Sequence, residues 1–140
     1  MNILLAVDGS TYTKKMLAYL AAHDEMLGSS HTYTAITVQP PLPPRVRAAL
    51  GKETVDSYYA DSGEKVLSPV TKFMARQGVD LKTMVKVGTA GETIAKAAES
   101  GKFDLIVMGT HGHGSLGKLV MGSVSTQVLA HCTVPVLLVR

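Results

Sequence analysis

The sequence predicts an α/β fold: one doubly wound, five-stranded parallel sheet with helices on both faces. Two observations carry this. Five short apolar or β-branched runs, at 2–7, 31–38, 81–87, 104–109 and 134–140, alternate along the chain with segments of helical periodicity. Two of them, "NILLAV" and "DLIVMG", are apolar without a polar face, as in strands covered on both sides. Right-handed crossovers between such strands give a parallel sheet. A length of 140 residues suits one domain, 1–140, with a core of ordinary size.

Each element has its own signal. "NILLAV" (2–7) is the first strand. "DGS" turns the chain, and Ser10 is placed to cap a helix running to about Gly28, with Leu17, Leu20, Ala21 and Leu27 as its buried stripe. "HTYTAITV" (31–38) alternates and is β-branched, a second strand. "QPPLPPR" holds four prolines in five positions, so it is a stiff loop. Helical spacing then runs from about Val46 to Arg76, with Val66, Val70, Phe73 and Met74 on one face. Pro69 inside it predicts a kink or a helix start. "LKTMVKV" (81–87) is the third strand. "TAGETIAKAAESG" is a short helix with Ile94, Ala97 and Ala98 inward and Gly101 as its stop. "DLIVMG" is the fourth strand, a helix follows over about 122–131, and "VPVLLVR" is the fifth strand.

Composition narrows the function. Apolar residues are 46% and charged residues 18%, which describes a globular chain rather than a disordered one. The net charge of +3 is spread thinly, with little aromatic interleaving, which argues against nucleic acid as a partner. The opening apolar run is too short to span a membrane and lacks a basic leader, so the expected location is the cytoplasm, with no membrane partner. The lone Cys132 fits a reducing compartment and reads as a small buried hydrophobe.

In a doubly wound sheet, ligands sit beyond the carboxyl ends of the strands, where strand order reverses. If the first and fourth strands are neighbours there, "VDGS", "VQPP" and the loop "GTHGHGSLGKLVMGS" (109–123) converge. Gly109, Gly112, Gly114 and Gly117 lack Cβ atoms, so backbone N–H groups can approach an anion. Gly122-Ser123 opens the last helix, whose free N–H groups and dipole favour phosphate. Asp8 suits a ribose hydroxyl, an exocyclic amine or a divalent metal; it equally suits shaping the turn.

The glycines form a sharper pattern, Gly109-x2-Gly112-x9-Gly122-Ser123. With "NILLAVDGS" before it and "GSVSTQVLAHCTVPVLLVR" after it, this resembles the nucleotide-binding signature of the universal stress protein family over nearly the whole chain. The resemblance implies a strand order of 3-2-1-4-5 and ATP as ligand, with Mg or Mn as the accompanying ion. It places Gly109 at the ribose, and Gly112, Gly122, Ser123 and the Val124 amide at the phosphates. It places the Val38 backbone at the adenine edge, Asp8 near base and ribose, and Ala6 and Met108 in the pocket wall. It also points to a homodimer through the last strand, which agrees with the apolar residues of 134–139 and their lack of charged gatekeepers. His113 stands where many members carry arginine, so a fixed charge gives way to one that titrates near neutral pH.

Rival readings fit less well. Gly117-Lys118 is followed by Leu119, not by the Ser or Thr of a P-loop NTPase. A dinucleotide enzyme carries its glycines after the first strand, where this chain has only "DGS". His111 and His113, with Asp8 or His131, are a thin basis for a metal site. The expected function is an ATP-dependent regulatory switch or sensor with at most weak ATPase activity. The alternative is a nucleotide-free dimeric interaction module of the same fold.

Overall fold

The apolar runs pair side by side, as their alternation with helices requires. The protein, seen in a computed structural model, is described at residues 1–28, 30–113 and 121–140. Its strands are β1 (Asn2–Ala6), β2 (Thr32–Gln39), β3 (Leu81–Val87), β4 (Leu105–Gly109) and β5 (Val136–Val139). All pairings are parallel, in the order β3-β2-β1-β4-β5, as the resemblance implied. β1 is central. Ile3 lies in register with Tyr33 of β2 on one side and with Leu105 of β4 on the other.

The helices are α1 (Thr11–Ala22), α2 (Pro44–Leu50), α3 (Lys52–Arg76), α4 (Ala90–Ser100) and α5 (Ser123–His131). Because strand side chains alternate between faces, the sheet separates two cores. Ile3, Leu5, Val7, Tyr33, Ala35 and Val107 pack with Met16 and Leu20 of α1 and Leu67 and Val70 of α3. Leu4, Ala6, Ile36, Ile106 and Met108 pack with Ile94 and Ala98 of α4 and Val128 of α5. Each fully buried Leu or Ile among them contributes about 1.5–3 kcal/mol. Among the described residues, no helix is long and apolar enough to cross a membrane.

Three boundaries differ from the sequence expectation. The first helix stops at Ala22, not near Gly28, and a 3-10 turn covers Asp24–Leu27. The cause is His23: its backbone N–H turns to Leu20 O, while its Nδ1 takes Tyr19 O at 2.7 Å, so the side chain caps a carbonyl the next turn would have used. The helical stretch from Val46 to Arg76 is two helices, starting at Pro44 and broken at Gly51, whose φ of 81° is left-handed. Pro69 starts neither; it lies inside α3 on an exposed face, where the carbonyl it leaves free can meet water.

Candidate functional site

Strand order reverses at β1, which has β2 on one side and β4 on the other. Beyond the carboxyl ends of these strands lies a cavity of about 790 Å³. Its walls include Ala6, Asp8, Val38, Met108, Gly109, Gly112, Gly122, Ser123 and Val124. These nine residues, which the resemblance assigned to the site, thus line one cavity. The volume lies within the range of about 300–1,000 Å³ typical of small-molecule sites.

Gly122 is the N-cap of α5, with extended φ and ψ of −79° and 170°. Its own N–H donates to Thr110 O at 2.7 Å, so Gly122 offers the cavity space rather than a donor. The first bond of the helix ladder runs from Thr126 N–H to Gly122 O at 3.2 Å. The amides of Ser123, Val124 and Ser125 precede it, in the turn that has no carbonyl to bond. They point out of the positive end of the helix dipole. The buried Ser125 hydroxyl donates to Thr110 O at 2.9 Å and Gly122 O at 3.1 Å, which ties this turn to the end of β4. Ser123 is exposed, so its hydroxyl can meet a ligand.

Asp8 joins the loop after β1 to the glycine loop. Its Oδ1 accepts from Ser10 N–H at 2.9 Å and from the Thr13 hydroxyl at 3.0 Å, and its Oδ2 accepts from His113 N–H at 3.2 Å. Burial raises the Asp8 pKa, but the hydrogen bonds from Ser10, Thr13 and His113 outweigh it and hold the carboxyl below its ordinary value. A Cβ on Gly112 would fall on Asp8 Oδ2, so glycine there lets the carboxylate close on the loop.

Val38 is set differently. Gln39 O accepts from Gly88 N–H on the β3 side, and Ile36 O accepts from Val7 N–H on the β1 side. Backbone groups alternate along a strand, so Val38 faces the β1 side like Ile36. β1 has ended there, at Ala6. The Val38 N–H and C=O therefore open on the cavity as an adjacent donor and acceptor.

The two loop histidines part ways. His111 packs against Tyr12 with ring centroids 4.9 Å apart, and its Nδ1 is 2.9 Å from the Thr110 hydroxyl. His113 Nε2 donates to Asp8 O at 2.8 Å. Among the described residues no three potential metal ligands cluster. Gly114, Gly117 and Lys118 lie outside the described residues.

Sequence reasoning missed the wall formed by Gly88, Thr89 and Ala90, together with Thr13, Thr110 and Ser125. Thr13 sits one helical turn past the Asp8-Gly9-Ser10 turn, a spacing that could have marked it as the carboxylate's partner. Gly88 follows β3 as Asp8 follows β1, so topology could have flagged it.

Fold and cavity together define a doubly wound α/β protein with a cavity at the switch point of the sheet, where such folds place their ligands. The model of the universal stress protein family matches residues 1–140, and the chain belongs to that family. A universal stress protein of Thermus aquaticus is 35% identical over 140 residues, covering 99% of this chain and 98% of that one. The universal stress protein Slr1230 of Synechocystis is 32% identical over 139 residues, 99% of this chain, but the chain spans only 42% of that longer relative. Among solved structures, protein MJ0577 superimposes with a TM-score of 0.81 at 23% identity, covering 99% of this chain and 94% of that one. A universal stress protein in complex with cAMP superimposes with a TM-score of 0.71 at 21% identity, covering 100% and 97%.

Proposed function

We propose that this protein binds ATP with Mg or Mn and acts as a nucleotide-dependent switch in a stress response, in the cytoplasm, with at most slow hydrolysis. The observation that carries this is convergence: Asp8, Val38, Gly109, Gly112 and the start of α5 come from distant parts of the chain and line one cavity. The Val38 C=O and N–H match the N6 amine and N1 of adenine, a donor beside an acceptor. Ala6 and Met108 form apolar walls for the base, and Gly109 leaves room for the ribose. Asp8 stands near base and ribose. Gly112 and Gly122 admit the phosphates close to the backbone, while the Ser123 hydroxyl and the Ser123 and Val124 amides donate to them. The divalent ion would sit chiefly on phosphate oxygens, with Asp8 the one carboxylate among the described lining residues. A protein of this fold in complex with cAMP supports an adenine ligand.

Slow turnover follows from the same walls. Phosphoryl transfer needs an oriented nucleophile and charge neutralisation that grows in the transition state. The ionisable side chains among the described lining residues are Asp8, His111 and His113. Each already holds a structural contact. Backbone donors bind ground state and transition state alike, which does not raise turnover. Steady-state phosphate release below about 1 per second is expected; a faster rate makes the protein an ATPase.

The chain is further proposed to form a homodimer through residues 134–139. β5 lies at the end of the sheet, and its Val136, Leu137 and Leu138 are only partly buried. Pairing with the same strand of a second copy would cover them by a two-fold contact.

A further inference from the structure

The loop from β2 to α2 reads Pro40-Pro41-Leu42-Pro43, and α2 opens on Pro44. Proline has no N–H, so Leu42 carries the only amide hydrogen between Gln39 and Arg45. That hydrogen is donated to the Tyr59 hydroxyl oxygen at 2.9 Å. Tyr59 lies in α3, partly buried, with its ring edge-to-face on Tyr58 at 5.9 Å. Pro40 and Pro41, two and one residues before the pinned amide, line the cavity beside Val38. Proline fixes φ near about −65°, so an anchor at Leu42 is carried stiffly back to Pro41 and Pro40. A loop able to donate one backbone hydrogen bond spends it on one side chain, and that side chain is not itself in the cavity wall.

We propose that Tyr59 is a positioning residue for the nucleotide site: by accepting the single amide hydrogen of the proline loop, it holds Pro40 and Pro41 as a preformed wall against the base. This rests on the nucleotide reading above. The wall is set before the ligand arrives, so the ordering cost of closing a loop over the base is not met on binding. Removing the anchor weakens binding of ligands that carry a base and spares those that carry only phosphates.

Tyr59→Phe deletes the acceptor and keeps the ring; Tyr58→Phe, at an exposed neighbour, is the matched control. Hydrogen exchange of the Leu42 amide is followed by NMR, and affinities for ATP and for tripolyphosphate are measured by calorimetry. In Tyr59→Phe the Leu42 amide is expected to exchange roughly tenfold faster, and ATP affinity to fall roughly three- to tenfold. Tripolyphosphate affinity and melting temperature stay as in the control. Equal ATP affinity in the two proteins, unchanged Leu42 exchange, or an equal loss for tripolyphosphate overturns this inference alone. Failure of the unsubstituted protein to bind ATP overturns the nucleotide reading and this inference together.

Discussion

Replacing Ser123 with proline removes one hydroxyl and one amide from the proposed phosphate site while leaving the helix able to form. Proline is favoured at the first helical position, whose N–H has no partner in the helix. The residue before it must be extended, and Gly122 already is, with ψ of 170°. Ser123 is exposed, so no core contact is lost. A hydrogen bond to a charged group contributes about 1.5–3 kcal/mol. Losing two, with water replacing part of each, should cost about 3 kcal/mol, or roughly 150-fold in affinity. Ser123→Ala removes only the hydroxyl and should cost about 1.4 kcal/mol, roughly tenfold. Titration calorimetry with ATP and Mg, alongside thermal melting, reads both. A Ser123→Pro protein that melts normally and binds ATP within about threefold of the unsubstituted chain would refute the assignment of phosphate to the start of α5.

Asp8→Asn keeps an acceptor for Ser10 and Thr13 but cannot serve every donor the carboxylate now satisfies, so stability at pH 7 should fall by about 1–2 kcal/mol in urea unfolding. The Asp8 pKa is lowered on folding, so its contribution is full above the unfolded value, near 3.8, and is lost as pH falls through the folded value; the variant should lose less stability over that range, and parallel profiles would contradict this. Gly112→Ala places a Cβ on Asp8 Oδ2, so its effect on loop and affinity should be strongly non-additive with Asp8→Asn; a simple sum in a double-mutant cycle would count against their contact. Sedimentation equilibrium at micromolar concentration should show a dimer, and a monomer would reject pairing through β5.

The sheet was legible because its evidence is periodic. Unbroken apolar runs such as "NILLAV" need two covered faces, and strand–helix alternation leaves few topologies. The strand order was not legible from periodicity; it came with the spaced glycines. Helix ends were the weakest part. The stop at Ala22 depends on where one His23 ring turns, and the break at Gly51 on a single left-handed residue between two good helical stretches. For the site, glycines and a helix start are visible in one dimension, and Gly109, Gly112, Gly122 and Ser123 do line one cavity. Gly122 gives the cavity space rather than its amide, which goes to Thr110 O, and the one-dimensional pattern does not tell these two uses apart. Thr110, Ser125 and Thr13 were missed because small hydroxyl residues look alike until their partners are in place. The proline loop announced its stiffness, but nothing in its own residues pointed to Tyr59, 17 positions on.

Equilibrium dialysis of the protein against labelled ATP, with Mg present and GTP as competitor, tests the central claim most directly. One ATP per chain is expected, displaced poorly by GTP, because the Val38 C=O and N–H complement adenine and meet a carbonyl and a protonated nitrogen on guanine. No retention of ATP at millimolar concentration, or equal displacement by GTP, would contradict the reading of this cavity as an adenine nucleotide site.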